Sequence, residues 1–243
     1  MDARMDAPRH VDILGIGEPF ATRWRLALVF GVLVYVGYRL VNPLIARQFD
    51  LSTQIHYGIP IYYGPAALLM LALFALHKRF CFPDIHFVGN IRRKDVIRGM
   101  LAVSVLYIAA YGTAYCLGQP REATMLSLYS LKTPTQNVVM IISLLALPPI
   151  VEELAFRHFL LSALPFNANR KIAAVAVVAT ALLFSVQHRH YDYLTTYLLL
   201  FALGVVFSQA RIRTGGVALP IALHSYAVAF ALICDRVVAY IQG

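Results

Sequence analysis

The distribution of apolar residues constrains the fold of this chain more than any other feature of its sequence. Of the 243 residues, 60% are hydrophobic and 14% are charged, whereas a soluble domain carries about 25% charged residues. A helix needs about 20 apolar residues to cross a bilayer. Seven runs come close to that length, and we therefore predict an all-α, polytopic membrane helix bundle with about seven transmembrane helices, at 24–45, 59–77, 96–118, 138–164, 171–187, 193–211 and 217–240.

The same pattern divides the chain into three parts. Residues 1–22 mix acidic and basic side chains without an apolar core, which predicts a polar N-terminal tail and no signal peptide. Residues 23–137 hold the first transmembrane helices, and 138–243 hold the residues that can carry chemistry. In the gap 119–137, either an interfacial helix or an ordinary connecting loop is expected. Such a chain belongs in the cell membrane, plasma or inner, as a multi-pass protein.

Charge and cysteine usage exclude several classes of function. The net charge of +9 comes mostly from basic residues in the gaps between apolar runs. A nucleic-acid surface would interleave them on one face, so no nucleic-acid partner is predicted. Every second gap is the more basic one, which by the positive-inside rule places the N-terminus in the cytoplasm and the C-terminus outside. Cys81, Cys116 and Cys234 form neither a disulfide framework nor a metal-binding CxxC pair.

Two adjacent glutamates lie in one of the most apolar stretches of the chain. Burying the carboxylates of Glu152 and Glu153 costs several kcal/mol unless they are paired or protonated. Arg157 follows Glu153 by four residues, the spacing of a helical ion pair. We expect Arg157 to neutralise Glu153 and Glu152 to act as a base. The alternative is a structural cluster of all three charges, which rarely adds stability over apolar packing. A kink is expected just before the glutamates, at Pro148-Pro149.

Two histidines in later helices can join these carboxylates. His188 ends the helix predicted at 171–187, and His224 lies about two turns inside the last apolar run. An intramembrane histidine is a functional-site hypothesis by default, although a core histidine bonded to a neighbouring helix is the alternative. His190 and His158 are interpreted as interfacial or structural.

Together these groups supply a general base, a positioning carboxylate and two imidazoles. That set suits water activation and attack on a carbonyl group. A serine–histidine dyad is disfavoured, because Ser185 and Ser225 lack a nucleophile-elbow context. A zinc site would need ligands from three separate helices, and the chain has no HExxH motif.

Three motifs in the second half of the chain resemble those of the CPBP family of intramembrane glutamate proteases. This family includes type II CAAX prenyl endopeptidases and bacterial Abi-like proteins. The resemblance covers about residues 138–235, and its conjunction of motifs inside membrane helices is fairly specific. The family's EExxxR motif matches Glu152-Glu153-Leu-Ala-Phe-Arg157, its FxxxH motif matches Phe184-Ser-Val-Gln-His188, and its HxxxN/D motif matches at His224, after the lead-in Gly204…Arg213-Thr-Gly-Gly216…Pro220.

The resemblance implies a metal-free mechanism without a cofactor, carried by a catalytic core at 138–243. Glu152 and His188 would hold and activate the water, Glu153 with Arg157 would support them, and His224 would donate to the oxyanion. The sequence departs from the family at Val228, where a second donor is expected. Losing such a donor lowers rates by about 10²–10³, unless another group replaces it, and the sequence offers Gln187, Tyr226 or a backbone N–H.

Three functions remain open at the level of sequence. The first is an endopeptidase that cuts a membrane-anchored or lipid-modified protein near its C-terminal end. The second, favoured by Val228, is a non-catalytic member of the same scaffold that binds a partner in immunity or maturation. The third is a proton-coupled transporter, which ranks last because the chain shows no repeated halves.

Overall fold

The computed structural model describes residues 20–81, 83, 85–129, 132–164, 166 and 169–241. The predicted polar tail at 1–22 lies almost entirely outside the described residues. Within the described ranges the chain forms only helices, in the order α1 (Phe20–Ala46), α2 (Leu51–Phe80), α3 (Arg93–Cys116), α4 (Ala123–Tyr129), α5 (Pro134–Glu153), a π-helix (Leu154–Leu160), α6 (Arg170–Gln187), α7 (Leu194–Thr214) and α8 (Ala218–Ile241).

The predicted all-α polytopic bundle is confirmed, with a smaller number of spans in the part that could be assessed. Six helical segments are long and apolar enough to cross a bilayer: α2, α3, α5 with the π-helix, α6, α7 and α8. The remaining predicted span, 24–45, falls within α1, where several side chains lie outside the described residues. In the gap 119–137, the short helix α4 forms.

Side-chain caps fix where the helices around the predicted site begin. Thr133 and Gln136 form a reciprocal capping box at the start of α5, with Pro134 in the first turn. The side chain of Asn169 accepts a hydrogen bond from the backbone N–H of Ile172 at 2.9 Å and starts α6. These caps satisfy backbone N–H groups that have no partner inside the helix.

An irregular helical segment follows the glutamates, while the kink predicted before them stays a prediction. α5 continues through Pro148 and Pro149 as far as Glu153. The π-helix then begins at Leu154 and runs to Leu160. Because π-helical turns contain more residues than α-helical turns, they alter the direction of the side chains that follow. This segment is the one that carries Arg157.

Polar side chains join the loops at one end of the bundle. The carboxylate of Glu122 accepts hydrogen bonds from the hydroxyl of Thr196 at 2.5 Å and from the backbone N–H of Asp192 at 2.9 Å. Arg121 donates to both carboxylate oxygens of Asp235, at 2.9 and 2.5 Å. The segment before α4 is therefore fastened to the start of α7 and to the last turns of α8.

Backbone hydrogen bonds join the loops at the opposite end. The N–H of Asn90 donates to the carbonyl of Thr214 at 2.7 Å, and the N–H groups of Val217 and Ala218 donate to the carbonyl of Phe87 at 2.8 and 3.0 Å. Successive spanning helices cross the membrane in opposite directions, so every second loop should lie on the same side. The two groups of loops joined by these hydrogen bonds agree with that expectation. The cytoplasmic assignment of the more basic end stays a prediction.

A glycine allows α6 and α7 to approach closely behind the predicted site. A Cβ atom on Gly204 would lie 2.9 Å from both Cα and Cβ of Ala181. Because one of these neighbours is backbone, the clash cannot be relieved by rotating a side chain. The carbonyl of Gly204 also accepts a hydrogen bond from Arg157, so this close approach holds a buried charge in place.

Gly204→Ala is expected to destabilise the protein, because it overpacks the contact between α6 and α7. Overpacking of this kind costs about 1–3 kcal/mol. The matched control is Gly112→Ala in α3, where no atom lies within 4 Å of the added Cβ and helix propensity favours alanine. The midpoint of thermal unfolding in one detergent should fall for Gly204→Ala and stay level or rise for Gly112→Ala. Equal midpoints for the two variants would contradict the packing argument.

Candidate active site

A cavity of about 360 Å³ lies inside the bundle and is lined by three of the five predicted catalytic residues. Its wall is mostly apolar, and its polar residues include Glu152, His188 and His224. Val228 lines the same cavity, as its position one turn after His224 on α8 predicts. The cavity extends as far as the ion pair between Arg121 and Asp235.

The carboxylate of Glu152 lies between the two imidazoles. Its Oε2 atom is 3.6 Å from Nε2 of His188 and 3.9 Å from Nε2 of His224. This oxygen is buried and accepts no hydrogen bond from the described residues. Both distances exceed that of a direct hydrogen bond and are short enough for one bridging water. Three helices, α5, α6 and α8, therefore bring these groups to a common point.

The position of His188 defines which of its ring nitrogens can face Glu152. His188 ends α6, and its Nδ1 lies 2.7 Å from the carbonyl oxygen of Phe184. Because a carbonyl only accepts hydrogen bonds, we assign the proton to Nδ1. In the neutral ring, Nε2 then carries a lone pair toward Glu152. The FxxxH spacing thus lets the backbone of Phe184 orient the histidine four residues later.

Glu153 lies behind the cavity and contacts two partners. Its Oε1 is 2.9 Å from Nδ1 of His224, and its Oε2 is 3.2 Å from Nε of Arg157. The side chains of Glu153 and Arg157 are fully buried. The Arg157 contact is an ion pair that lacks hydrogen-bond alignment, since neither of its two atoms has a hydrogen-bond partner among the described residues. The ion pair predicted from the four-residue spacing is present, and the bond to His224 adds to it.

Aromatic rings surround the guanidinium of Arg157. Its Cζ atom lies 4.4 Å from the ring centroid of Phe184, 5.4 Å from that of Phe207 and 5.7 Å from that of Phe156. Its Nη2 also donates to the carbonyl of Gly204 at 3.2 Å. Cation–π contacts of this kind stabilise a desolvated charge by about 0.5–2 kcal/mol. The buried charge is therefore offset by one carboxylate, one carbonyl and three rings.

Two phenylalanines support the site, although neither was assigned a catalytic role from the sequence. Phe184 contacts the rings of both His188 and His224 edge-on, at centroid distances of 4.7 and 5.8 Å. Phe207 stacks on His224 at 5.2 Å with an angle of 18°. Both rings also contact Arg157, so one aromatic cluster positions an imidazole and a guanidinium. Phe184 was visible in the FxxxH motif, whereas Phe207 has no comparable sequence signal.

His190 lines the cavity beside His188, with ring centroids 5.6 Å apart, whereas three other polar candidates lie away from the reacting groups. His158 bonds through Nε2 to Nδ1 of His77 on α2 at 2.8 Å, in the buried core, which agrees with a structural role. The hydroxyl of Ser185 donates to the carbonyl of Tyr197, and that of Ser225 donates to the carbonyl of Ile221.

Neither side chain suggested as a replacement at Val228 lies in the cavity. Gln187 is exposed at the end of α6. The hydroxyl of Tyr226 shares a hydrogen bond of 2.8 Å with Ser104 of α3, and neither residue lines the cavity. In the part of the chain that the structure describes, no group of three or more His, Cys, Asp or Glu side chains is arranged to hold a metal ion.

Comparisons with known proteins agree with the motifs. Residues 134–230, which span α5 to most of α8, match the family described as "Type II CAAX prenyl endopeptidase Rce1-like". The segment that carries the site is similar to that family. The resemblance inferred from the three motifs is thereby confirmed over this segment, and the chain is a multi-pass membrane protein. The Rce1-like segment contains all five predicted site residues, namely Glu152, Glu153, Arg157, His188 and His224.

Two relatives extend this comparison. An "Uncharacterized 24.3 kDa protein" of Escherichia coli is 29% identical over 171 residues, which cover 70% of this chain and 78% of the relative. "Membrane-embedded CAAX protease MroQ" of Staphylococcus aureus is 34% identical over 89 residues, which cover 35% of this chain and 34% of that protein. No solved structure matches this chain significantly.

Proposed function

We propose that this protein is an intramembrane endopeptidase that hydrolyses a peptide bond in a membrane-anchored or lipid-modified protein. The observation that carries the proposal is the position of Glu152 Oε2 between Nε2 of His188 and Nε2 of His224, on the wall of a cavity inside the bundle. A carboxylate beside two imidazoles in an apolar cavity suits activation of water. The Rce1-like match and the printed name of the Staphylococcus relative support a protease.

The proposed reaction begins with a water that donates one hydrogen to Glu152 and the other to Nε2 of His188. Glu152 removes a proton while the water oxygen bonds to the carbonyl carbon, and the carbonyl oxygen becomes an oxyanion. Glu152 then returns the proton to the leaving nitrogen, and the C–N bond breaks. Water is consumed, and one carboxylic acid and one amine are formed, so the protein is unchanged at the end.

His224 is placed to stabilise the oxyanion only when its ring carries two protons. Its Nδ1–H donates to Glu153 at 2.9 Å, so donation to substrate must come from a protonated Nε2. The carboxylate of Glu153 accepts the hydrogen bond from Nδ1 and orients the ring, as the buried carboxylate does in a catalytic triad. Arg157 forms an ion pair with the other oxygen of Glu153. This arrangement gives the Glu153–Arg157 pair a role in positioning His224.

The proposal is tested by mapping the ends of membrane proteins in producing cells. Cells lacking this protein are complemented with the wild-type chain or with a variant carrying both Glu152→Gln and His188→Ala. Mass spectrometry of protein termini in the membrane fraction should reveal at least one terminus that appears only with the wild-type chain. The cleaved protein, purified with a fluorescent tag, then serves as the reporter substrate in lipid vesicles. Identical termini in both strains would overturn the protease assignment.

A second candidate function follows from Val228. A non-catalytic scaffold that binds a partner needs no second oxyanion donor, and valine at this position of the cavity wall fits that function. In that case the double variant retains the biological output of the wild-type chain, and the mass of the partner does not change. If the double variant loses both the biological output and the protein terminus that appears with the wild-type chain, the result favours the protease.

Chelation should leave the activity unchanged, because the proposed water is activated by carboxylate and imidazole alone. Reporter cleavage in vesicles is measured before and after incubation with a zinc-binding chelator, and metal content is measured on the same protein. Equal rates and no stoichiometric zinc are expected. Activity that is lost to the chelator and restored only by added zinc would move the mechanism to metal-assisted hydrolysis.

A further inference from the structure

We propose that Tyr191 is a further catalytic residue, whose phenol hydroxyl donates to the oxyanion at the place where Val228 has no donor. The inference rests on the proposed protease function. It concerns the loop between α6 and α7, which none of the three sequence motifs includes.

The loop holds the ring of Tyr191 against the predicted water-binding histidine. The rings of Tyr191 and His188 are stacked, with centroids 6.2 Å apart and an angle of 20°. The ring of His190 is also close, with its centroid 4.4 Å from that of Tyr191. The backbone carbonyl of Tyr191 accepts a hydrogen bond from the hydroxyl of Tyr197 at 3.1 Å. The phenol is therefore positioned by two imidazole rings and by its own backbone.

The hydroxyl of Tyr191 is available to a substrate. Tyr191 lines the same cavity as Glu152, His224 and Val228, and its hydroxyl has no hydrogen bond to any described residue. The hydroxyls of two threonines on the cavity wall are already engaged. Thr195 donates to Gln119 at 2.6 Å, and Thr196 donates to Glu122 at 2.5 Å.

The electrostatic surroundings keep Tyr191 in its donating form. Burial raises the pKa of the phenol above its ordinary value, and the negative charges of Glu152 and Glu122 raise this pKa further. The group is therefore protonated at neutral pH and donates without losing its proton. The influence of Glu152 also indicates that the phenol lies near the carboxylate that activates water. A neutral donor suits this place, because a second cation would compete with His224 for protonation.

Tyr107 is the rival for the same role. It lines the cavity from α3, but its ring packs against Phe230 at 5.7 Å and Tyr111 at 6.3 Å. No ring contact joins Tyr107 to His188 or His224 among the described residues. Tyr191 is the better candidate because it stacks on a reacting imidazole.

The decisive variant is Tyr191→Phe, which keeps the ring on His188 and removes only the hydroxyl. With the reporter substrate in vesicles, kcat should fall about 10²-fold or more while KM changes little, since the donor acts in the transition state. Tyr226→Phe is the matched control, because it removes a phenol hydroxyl that bonds to Ser104 and belongs to a residue that does not line the cavity. It should retain wild-type kcat.

A second substitution tests the shared position. Val228→Asn adds a side-chain donor beside His224, so in the Tyr191→Phe background it should restore kcat to within about tenfold of wild type. In the wild-type background the same change should have little effect, because Tyr191 already supplies the donor. If Tyr191 only supported the structure, an asparagine at position 228 on α8 would not restore kcat.

Three results would overturn the inference. The first is an unchanged kcat in Tyr191→Phe, and the second is a fall in kcat in Tyr107→Phe without one in Tyr191→Phe. The third is a fall in kcat in Tyr191→Phe that is not restored by adding Val228→Asn. Glu152→Gln, measured in parallel, separates this failure from that of the protease proposal. If Glu152→Gln is inactive and Tyr191→Phe is fully active, only the role of Tyr191 is wrong. If Glu152→Gln is fully active, the protease mechanism itself is wrong.

Discussion

Glu152→Gln is expected to abolish cleavage of the reporter while the protein inserts and purifies normally. Glutamine has the shape of glutamate but cannot accept the proton of water, and loss of a general base lowers rates by about 10²- to 10⁴-fold. The fold should survive, because Oε2 of Glu152 accepts no hydrogen bond from the described residues. The measurements are kcat in vesicles and the midpoint of thermal unfolding in detergent.

The matched control is Glu122→Gln. Glu122 lines the same cavity, but its carboxylate bonds to Thr196 and to the backbone of Asp192, contacts that a glutamine oxygen can partly keep. This variant should cleave at a rate near that of wild type. Full activity in Glu152→Gln would remove the general-base assignment. Equal losses in both variants would indicate that the cavity needs negative charge in general.

Arg157→Met is expected to produce the largest loss of stability of any single substitution considered. Methionine fills similar volume but leaves the carboxylate of Glu153 buried without its cation. Breaking a buried ion pair from one side costs about 3–5 kcal/mol, which is a large fraction of the stability of a typical domain. The folded yield and the thermal midpoint in detergent should both fall. Arg213→Met, an exposed arginine on α7, is the control and should change neither quantity appreciably.

A double variant separates the charge from the packing. Glu153→Gln combined with Arg157→Met removes both charges and keeps an acceptor for Nδ1 of His224. The double variant should recover a large part of the stability that Arg157→Met loses, because no uncompensated charge remains. It should stay inactive, because a neutral residue 153 holds the ring of His224 less firmly than the carboxylate does. A double variant as unstable as Arg157→Met would show that aromatic packing around Arg157 dominates, with the ion pair secondary.

Local contacts within one helix were predictable from the sequence. The pair between Glu153 and Arg157 forms because residues four apart share a helix face. The bond from His188 to the carbonyl of Phe184 is local for the same reason. The long apolar runs predicted the helices themselves, since length and composition decide whether a segment can cross a bilayer.

Contacts between helices were harder to predict from the sequence. The bond between Glu153 and His224 joins residues 71 positions apart, and it assigns His224 to the positioning carboxylate as well as to Glu152. The π-helix after Glu153 was not predicted, because the visible sequence signal, Pro148-Pro149, lies before the glutamates and indicates a proline kink there. A π-helix depends on the hydrogen bonding and packing of the whole segment, and no single residue type predicts it.

The sequence by itself determined the all-α membrane class of this protein and most of the candidate groups of the site. Charge in an apolar helix is costly, so Glu152, Glu153 and Arg157 stand out wherever the helices pack. Tertiary structure alone decided how those groups are arranged: which imidazole nitrogen faces Glu152, which carboxylate contacts His224, and where Phe207 and Tyr191 lie. These relations depend on the packing of α5, α6, α7 and α8 around one cavity. Hydropathy determines that helices form and span, but the directions in which their side chains meet depend on close packing between them.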